Sequence, residues 1–286
     1  MRSLELSAAA EELHLSQPAI TQQIKALEEE LSTRLLDRTG GRVVLTPAGR
    51  MLKKRAAELA ELVALTQEEL ASLNGEHSGL LRAGASTSIA QYVLPKMLGF
   101  FKREPRVKLQ ISSGNTEEVV DWLLDGTIAI GLIEGPAMRK DVRVEPFMED
   151  ELVLLYPANH PWKNREFLTV EDLKGVPFLL RERGSGTRRV LEMALEKAGL
   201  KMNDMDVAME LDSTEAIISS VESGLGIGFV THAAILPRLP QGKFATAKIK
   251  GLRIPRKFSL VYPAGPKPEG LAGAFREFTL EHARDN

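Results

Sequence analysis

The spacing of hydrophobic positions changes twice along the chain and marks out three regions. In residues 1–45 apolar side chains recur at helical spacing in two short runs. Ser7 can cap the first, Ala8-Ala9-Ala10-Glu11-Glu12-Leu13. Ser16 can cap the second, where Pro18 is tolerated because first-turn N–H groups have no intrahelical partner. Within the second run Ile20, Ile24, Leu27 and Leu31 fall at i, i+4, i+7 and i+11 and predict one buried stripe. Gln17, Thr21, Gln22 and Lys25 fall largely on the opposite face. His14-Leu15 separates the two runs, so short a connection that the helices must cross steeply, as in a helix-turn-helix. The stretch from Arg34 to Leu45 then places apolar residues on both sides of Gly40-Gly41, a plausible hairpin turn, and predicts a short two-stranded wing.

Thr46-Pro47 opens a long helix, with Thr46 as N-cap and Pro47 at the first helical position. Leu52, Ala56, Leu59, Val63, Leu70 and Leu73 make an apolar stripe on it. A helix isolated between two domains most simply covers such a stripe with the same helix of another copy. Asn74-Gly75 ends it, and Glu76-His77-Ser78-Gly79 is the linker. From there short β-rich runs alternate with helical ones. The first set reads strand 80–85, helix 89–103, strand 107–112, helix 115–125, strand 128–133 and strand 151–156. The second reads strand 177–181, helix 187–198, strand 206–211, helix 214–223 and strand 226–230, followed by a return strand 256–262 and a closing helix 269–283. This alternation predicts an α/β architecture of two doubly wound lobes with a cleft between them. The expected domains are 1–45, 46–78 and 79–286, the last with one lobe at about 79–156 and 262–286 and the other at about 157–261.

Composition narrows the function classes. The 286 residues carry a net charge of −2, so any surface for nucleic acid must be local. One exists: from Arg34 to Arg55 there are seven basic residues (34, 38, 42, 50, 53, 54 and 55) against one acid, Asp37. The chain has no cysteine, which excludes disulfides, thiolate metal sites and cysteine nucleophiles. Its five histidines are scattered without ligand spacing, so no metal is expected. There is no apolar run near ~18 residues and no signal peptide, so no membrane partner is expected and the default location is cytoplasmic.

Two candidate sites emerge. Ser16, Gln17, Pro18, Ala19, Thr21 and Gln22 lie at or near the start of a polar helix, with Lys25 one turn on. Glutamine can pair with adenine through two hydrogen bonds, and serine or threonine can serve several bases. Arg34, Arg38 and Arg42 would hold phosphates. The second site gathers helix starts in the α/β region: Ser86-Thr87-Ser88, then Ser185, Gly186 and Thr187 within a glycine- and arginine-rich loop, then Ser213 and Thr214. Helix N-termini attract anions through free N–H groups and the dipole. Capping alone would need only one hydroxyl at each, but three such starts on two lobes could converge on one ligand. Gly224-Leu225-Gly226-Ile227-Gly228 has the wrong spacing for a dinucleotide and precedes a strand, which points to a helix end and close packing instead.

The run from Ala9 to Glu28, with Leu35-Leu36-Asp37-Arg38 and Leu45-Thr46-Pro47-Ala48-Gly49, resembles the winged helix-turn-helix of LysR-type transcriptional regulators. Further along, Asp125-Gly126-Thr127-Ile128-Ala129-Ile130-Gly131-Leu132, Leu152 to Pro157 with His160-Pro161, and Ser213 to Ile227 are similar to that family's effector domain. Ser113 to Glu118 and Arg181-Glu182 with Gly184 to Arg188 look like the branch containing regulators of carbon fixation and of sulfur assimilation. The resemblance covers nearly the whole chain. It implies a regulator of double-stranded promoter DNA that is a homodimer or homotetramer through the long helix and the effector domain, with RNA polymerase as a further partner. It also implies no cofactor beyond a small effector, often anionic, in a two-lobed periplasmic-binding-protein-like domain, and no enzyme activity. Ser86, Thr87 and Ser88 match the family's first effector loop.

The family normally has one more helix, about sixteen residues by resemblance, before the position of Ser7. Without it, part of the Ile20, Ile24 and Leu27 stripe would be uncovered, at roughly 1.5–3 kcal/mol per large side chain. The expectation is either a misassigned start or an impaired DNA-binding domain. The rival reading is a small-solute-binding module whose N-terminal region only oligomerises; an enzyme on an α/β fold has little support. The basic wing separates the first two, because phosphate contacts make affinity fall steeply with salt. Gln22→Ala should lower discrimination between a specific and a random duplex. Arg38→Ala should weaken both about alike. Fluorescence anisotropy across a salt series checks this, and equal losses on both duplexes for Gln22→Ala would remove glutamine's base-reading role.

Overall fold

The computed structural model describes residues 10, 15–37, 43–72, 79–97 and 107–282. They belong to two compact units, residues 1–64 and residues 65–286.

In the first unit, α1 (Gln17–Glu30) starts where the Ser16 hydroxyl accepts the Ala19 N–H at 3.4 Å, with Pro18 in the first turn. Two short strands, β1 (Leu36–Asp37) and β2 (Val44–Leu45), pair antiparallel with Leu36 opposite Leu45. The Glu28 carboxylate accepts the N–H groups of Leu35 and Leu36 at 2.6 and 2.9 Å and so ties α1 to this wing. The helix α2 (Pro47–Ser72) follows, in this unit as far as Ala64, its first turn capped by the Thr46 hydroxyl, which accepts the Gly49 N–H at 3.0 Å. Gly49 is required here: a Cβ would lie 2.1 Å from the Leu35 carbonyl oxygen, so any side chain would push the wing off the helix. The predicted stripe of α1 is only partly buried: Ile20 is 5% exposed, whereas Leu27 and Leu31 are 38% and 44% exposed. The predicted helix 8–13 (Ala10 apart), the Gly40-Gly41 turn, Arg38, Arg42 and residues 73–78 of the linker lie outside the described residues.

The second unit opens with β3 (Gly79–Ser86), a single π-helical turn at Ile89–Val93 and α3 (Leu94–Met97). Then come β4 (Val107–Gly114), α4 (Thr116–Leu124), β5 (Ile130–Glu134), β6 (Val142–Pro157), β7 (Phe167–Leu168) and β8 (Phe178–Arg181). After these follow α5 (Gly186–Lys197), β9 (Val207–Leu211), α6 (Thr214–Glu222), β10 (Ile227–Thr231) and α7 (His232–Ile235). The chain closes with β11 (Phe244–Ile249), β12 (Ile254–Pro263) and α8 (Gly270–His282). Ten strands form one sheet in the order β4-β3-β5-β12-β6-β10-β8-β9, with β11 on β6 and β7 on β11. Parallel strands stand on both flanks, and β6 and β12 run antiparallel through the middle.

Two cores flank these crossing strands. One joins Leu81, Ile130, Leu132 and Phe258 to Phe275 of α8; the other joins Leu154, Phe178 and Phe229 to Leu191 of α5. The second core takes in residues 152 to 254, and the first resumes at Phe258. The lobes therefore change over several residues before the expected 156/157 and 261/262 boundaries. The predicted strand 151–156 is the second half of β6. Its first half escaped notice because it carries Pro146 and four charged residues; Pro146 is accommodated beside a bulge where the register with β12 shifts between Phe258 and Ser259. Strand β11 also went unpredicted, since Phe-Ala-Thr-Ala-Lys-Ile has small side chains and no long apolar run. The glycines at 224–228 act as helix end and packing. Gly224 has φ +78° just past α6, and a Cβ on Gly226 would lie 2.4 Å from the Pro177 carbonyl oxygen. Among the described residues no helix is long and apolar enough to cross a membrane.

The closing helix is fixed to the sheet by a charge pair. Arg276 of α8 donates two hydrogen bonds to Glu145 of β6, at 2.6 and 2.5 Å, and the Tyr262 hydroxyl donates a third at 3.1 Å. The guanidinium holds the Glu145 carboxyl below the usual carboxylate range. A lowered folded value means stability that is present at neutral pH and lost as the pH falls through that value. Glu145→Gln should therefore be less stable than the parent chain at pH 7. The gap should close as the pH drops below about 4.3. Urea unfolding from pH 3 to 7 measures it; a gap independent of pH would contradict the role of the pair.

Candidate functional site

Parallel strands of both lobes point their carboxyl ends at the interlobe cleft, the usual place for ligands in open α/β sheets. Ser86, Glu134, Arg181 and Thr231 end β3, β5, β8 and β10. Three helices of nine to twelve residues begin there: α4 capped by Asn115, α5 by Ser185 and α6 by Ser213. Each brings free N–H groups and the positive end of its dipole to the cleft.

Hydroxyls from opposite lobes meet. Ser88 Oγ and Thr214 Oγ1 are 2.9 Å apart, both buried. Arg181, 2% exposed, donates to Thr87 Oγ1 at 3.1 Å and to Thr214 Oγ1 at 3.3 Å, and its fork is held by Glu182 at 2.8 and 3.0 Å. A second guanidinium, Arg256, donates to Asp150 at 2.6 Å and to Thr187 Oγ1 at 2.8 Å. Between the two arginines stands Glu134, 3.9 Å from Arg181 and 3.3 Å from Arg256, with Thr187 donating to it at 3.2 Å. Thr231 donates to both oxygens of Asp150, at 2.9 and 2.8 Å. Four buried polar atoms at this junction have no hydrogen-bond partner: Glu134 Oε2 and Arg256 Nη2, which face one another as an ion pair at 3.3 Å, and two hydroxyls, Ser86 Oγ and Thr116 Oγ1. At the edge of the same junction Tyr92 of the first lobe donates to Glu215, which also binds Arg238 at 2.8 Å; burial, then Glu215, pushes the Tyr92 phenol up.

The arrangement brings Thr87, Ser88, Thr187 and Thr214 together, with Ser86 at the end of β3. Ser185 and Ser213 turn away into capping: their hydroxyls accept the Arg188 and Ala216 N–H groups at 3.5 and 3.0 Å. Gly186 serves the lobe contact itself, since a Cβ there would lie 2.0 Å from the Glu134 carbonyl oxygen. Sequence reasoning assigned no role to Glu134, Asp150, Arg181, Arg256, Thr116 or Thr231. One signal was available for two of them. Ile-Gly-Leu-Ile-Glu and Phe-Leu-Leu-Arg are apolar strands that each end in one charge, which places that charge at the carboxyl edge.

In the first unit, Gln17, Pro18, Thr21, Gln22 and Lys25 line one shallow groove along α1. Ser16, Gln17, Pro18, Gln22 and Lys25 are exposed, and Ala19 and Thr21 are half-buried. The Thr21 hydroxyl donates to the Gln17 carbonyl at 3.0 Å, and Lys25 lies 3.6 Å from Glu29. Arg34 is exposed beside the wing.

Residues 74–284 match the family described as LysR substrate binding domain, and residues 1–50 match the one described as Bacterial regulatory helix-turn-helix protein, lysR family. The chain is 33% identical over 276 residues to a RuBisCO operon transcriptional regulator of Allochromatium vinosum, covering 96% of this chain and 90% of that one. Full-length OxyR of Pseudomonas aeruginosa, a cysteine-to-aspartate variant, aligns with a TM-score of 0.73 at 24% identity, over 98% of this chain and 89% of that one. The regulatory domain of CcmR from Synechocystis PCC6803 in complex with 2-PG aligns at 0.66 and 22%, over 73% of this chain and 99% of that one. These two structures are similar in fold.

Removing one member of a buried charge group leaves the others uncompensated. Arg256→Met should lower the unfolding free energy by about 3–5 kcal/mol. Urea unfolding at neutral pH checks it, and a loss under about 1 kcal/mol would show that the cluster does not hold the lobes.

Proposed function

The chain belongs to the LysR family of bacterial transcriptional regulators, which are DNA-binding proteins and not enzymes, and we propose that it adjusts promoter binding to a small anion held between its two lobes. The observation that carries this reading is the donor set. Both buried guanidiniums already face carboxylates, so an entering anion meets hydroxyls and three helix N-termini instead. Ser86 Oγ and Thr116 Oγ1, buried without partners, are the donors it would satisfy first. The RuBisCO operon regulator and the 2-PG complex of CcmR favour a small phosphorylated carboxylate as the first candidate.

On the DNA side, Ser16, Gln17, Thr21 and Gln22 face the major groove, and Arg34, Arg38 and Arg42 hold phosphates. The apolar stripe of α2 supports assembly: Met51, Leu59, Leu62 and Val63 are 57–65% exposed in a single chain, and a second copy covers them in a homodimer or homotetramer. RNA polymerase is the further partner. The anion acts by replacing the Ser88–Thr214 and Arg181–Thr87 contacts, which shifts the population of lobe arrangements.

The test uses Ser86→Ala and Thr116→Val, with 2-phosphoglycolate and sulfate titrated into the full chain by calorimetry. Removing unpartnered buried atoms should leave the free protein as stable as before, or more so. The same changes should weaken anion binding about tenfold or more, the worth of a hydrogen bond to a charged group. In parallel, anisotropy on the duplex upstream of its own gene should respond to the anion in the parent chain alone. Unaltered anion affinity in both variants would overturn the reading.

A further inference from the structure

A cavity of about 610 Å³ lies against the crossing strands, and none of the cleft hydroxyls lines it. Its volume is that of a small-molecule site. Both lobes build it: Val144 of β6 from the first, Val190 and Met193 of α5 and the Leu252 turn from the second. Val144 and Met193 are 41% and 40% exposed, so apolar surface faces the opening. The charged residues of the wall are all cations, Lys197, Arg253, Arg256 and Lys257, with Glu192 and the other acids of α5 outside it. Arg253 is paired with Glu151 at 2.9 Å. Lys197 and Lys257 are exposed and make no ion pair among the described residues. Arg256 is 5% exposed, and its Nη2 has no hydrogen bond although Glu134 lies 3.3 Å away.

We propose that this cavity is an accessory binding site for a carboxylate with an apolar body. The body lies on Val144, Val190, Met193 and Leu252, and the carboxylate sits at the rim between Lys197 and Lys257. An uncharged apolar molecule would leave the cationic rim unanswered, and a bare inorganic anion would leave the apolar floor wet. The location gives binding a consequence. The wall spans both lobes beside the strands that join them, and it shares Arg256 with the charge cluster of the cleft. A carboxylate here and an anion in the cleft bias the same lobe equilibrium, so each changes the affinity of the other by the same factor.

Octanoate is the probe, added to the full chain carrying methyl-labelled methionine. The Met193 methyl resonance is identified by its absence in Met193→Leu. It should shift and saturate with octanoate. Octanamide, which lacks the charge, and sulfate, which lacks the body, should leave it in place. Lys257→Glu, at an exposed position, should weaken octanoate about tenfold or more. Ser86→Ala should leave octanoate affinity within about twofold, because the two sites are separate. The proposal is overturned if the Met193 methyl does not move, if octanamide binds as well as octanoate, or if Lys257→Glu has no effect. A tenfold loss in Ser86→Ala would overturn it too, by placing octanoate in the cleft.

Discussion

Two buried arginines decide how the lobes meet. A guanidinium withdrawn from water without a counter-charge costs several kcal/mol even after relaxation. Arg181 ends a strand of the second lobe and Arg256 sits where β12 crosses between the lobes. Glu134, which lies within 4 Å of both, ends a strand of the first. Asp150 comes from the other crossing strand. Glu182 and Asp150 already meet the two guanidiniums, and closing the lobes brings Glu134 to both as well; Gly186 is small so that they can close. The same compensation sets the chemistry of the cleft. Guanidiniums that are already paired cannot supply the main attraction for an anion, so an anion held there as proposed would meet hydroxyls and helix N-termini.

The parts of this arrangement differ in how legible they are from residue order. Period and capping made most elements readable. Ser16 and Thr46 cap the helices they were expected to cap, and strands such as 107–112 and 206–211 lie within one or two residues of β4 and β9. Elements whose hydrogen bonds come from distant partners were harder. The first half of β6 is charged and interrupted by Pro146, and it is a strand because β12 pairs with it across a bulge. Hydroxyl-rich helix starts pointed to the cleft, but its charges did not announce themselves, because Glu134 and Arg256 are 122 positions apart in sequence and become partners only through topology.

Local packing in the first unit follows the same logic at smaller scale. Glu28 and Gly49 both serve the short wing, one by accepting two backbone N–H groups and the other by having no side chain to obstruct Leu35. That leaves the polar start of α1 exposed, as the proposed base-reading role requires. The exposed stripe of α2 is costly in a single chain and natural in an assembly of copies. A regulator of this family is thus readable as three surfaces, each defined by what the fold leaves unsatisfied: exposed polar side chains on α1, exposed apolar ones on α2, and partnerless buried hydroxyls in the cleft.

Anion recognition by neutral donors in the cleft is most directly tested by anomalous diffraction from crystals of the full chain soaked in selenate. The predicted result is a selenium peak between the lobes, with selenate oxygens within hydrogen-bond distance of Ser86 Oγ and Thr116 Oγ1 and of the first N–H groups of α4, α5 or α6. Ordered selenate elsewhere on the protein with none in the cleft would contradict it.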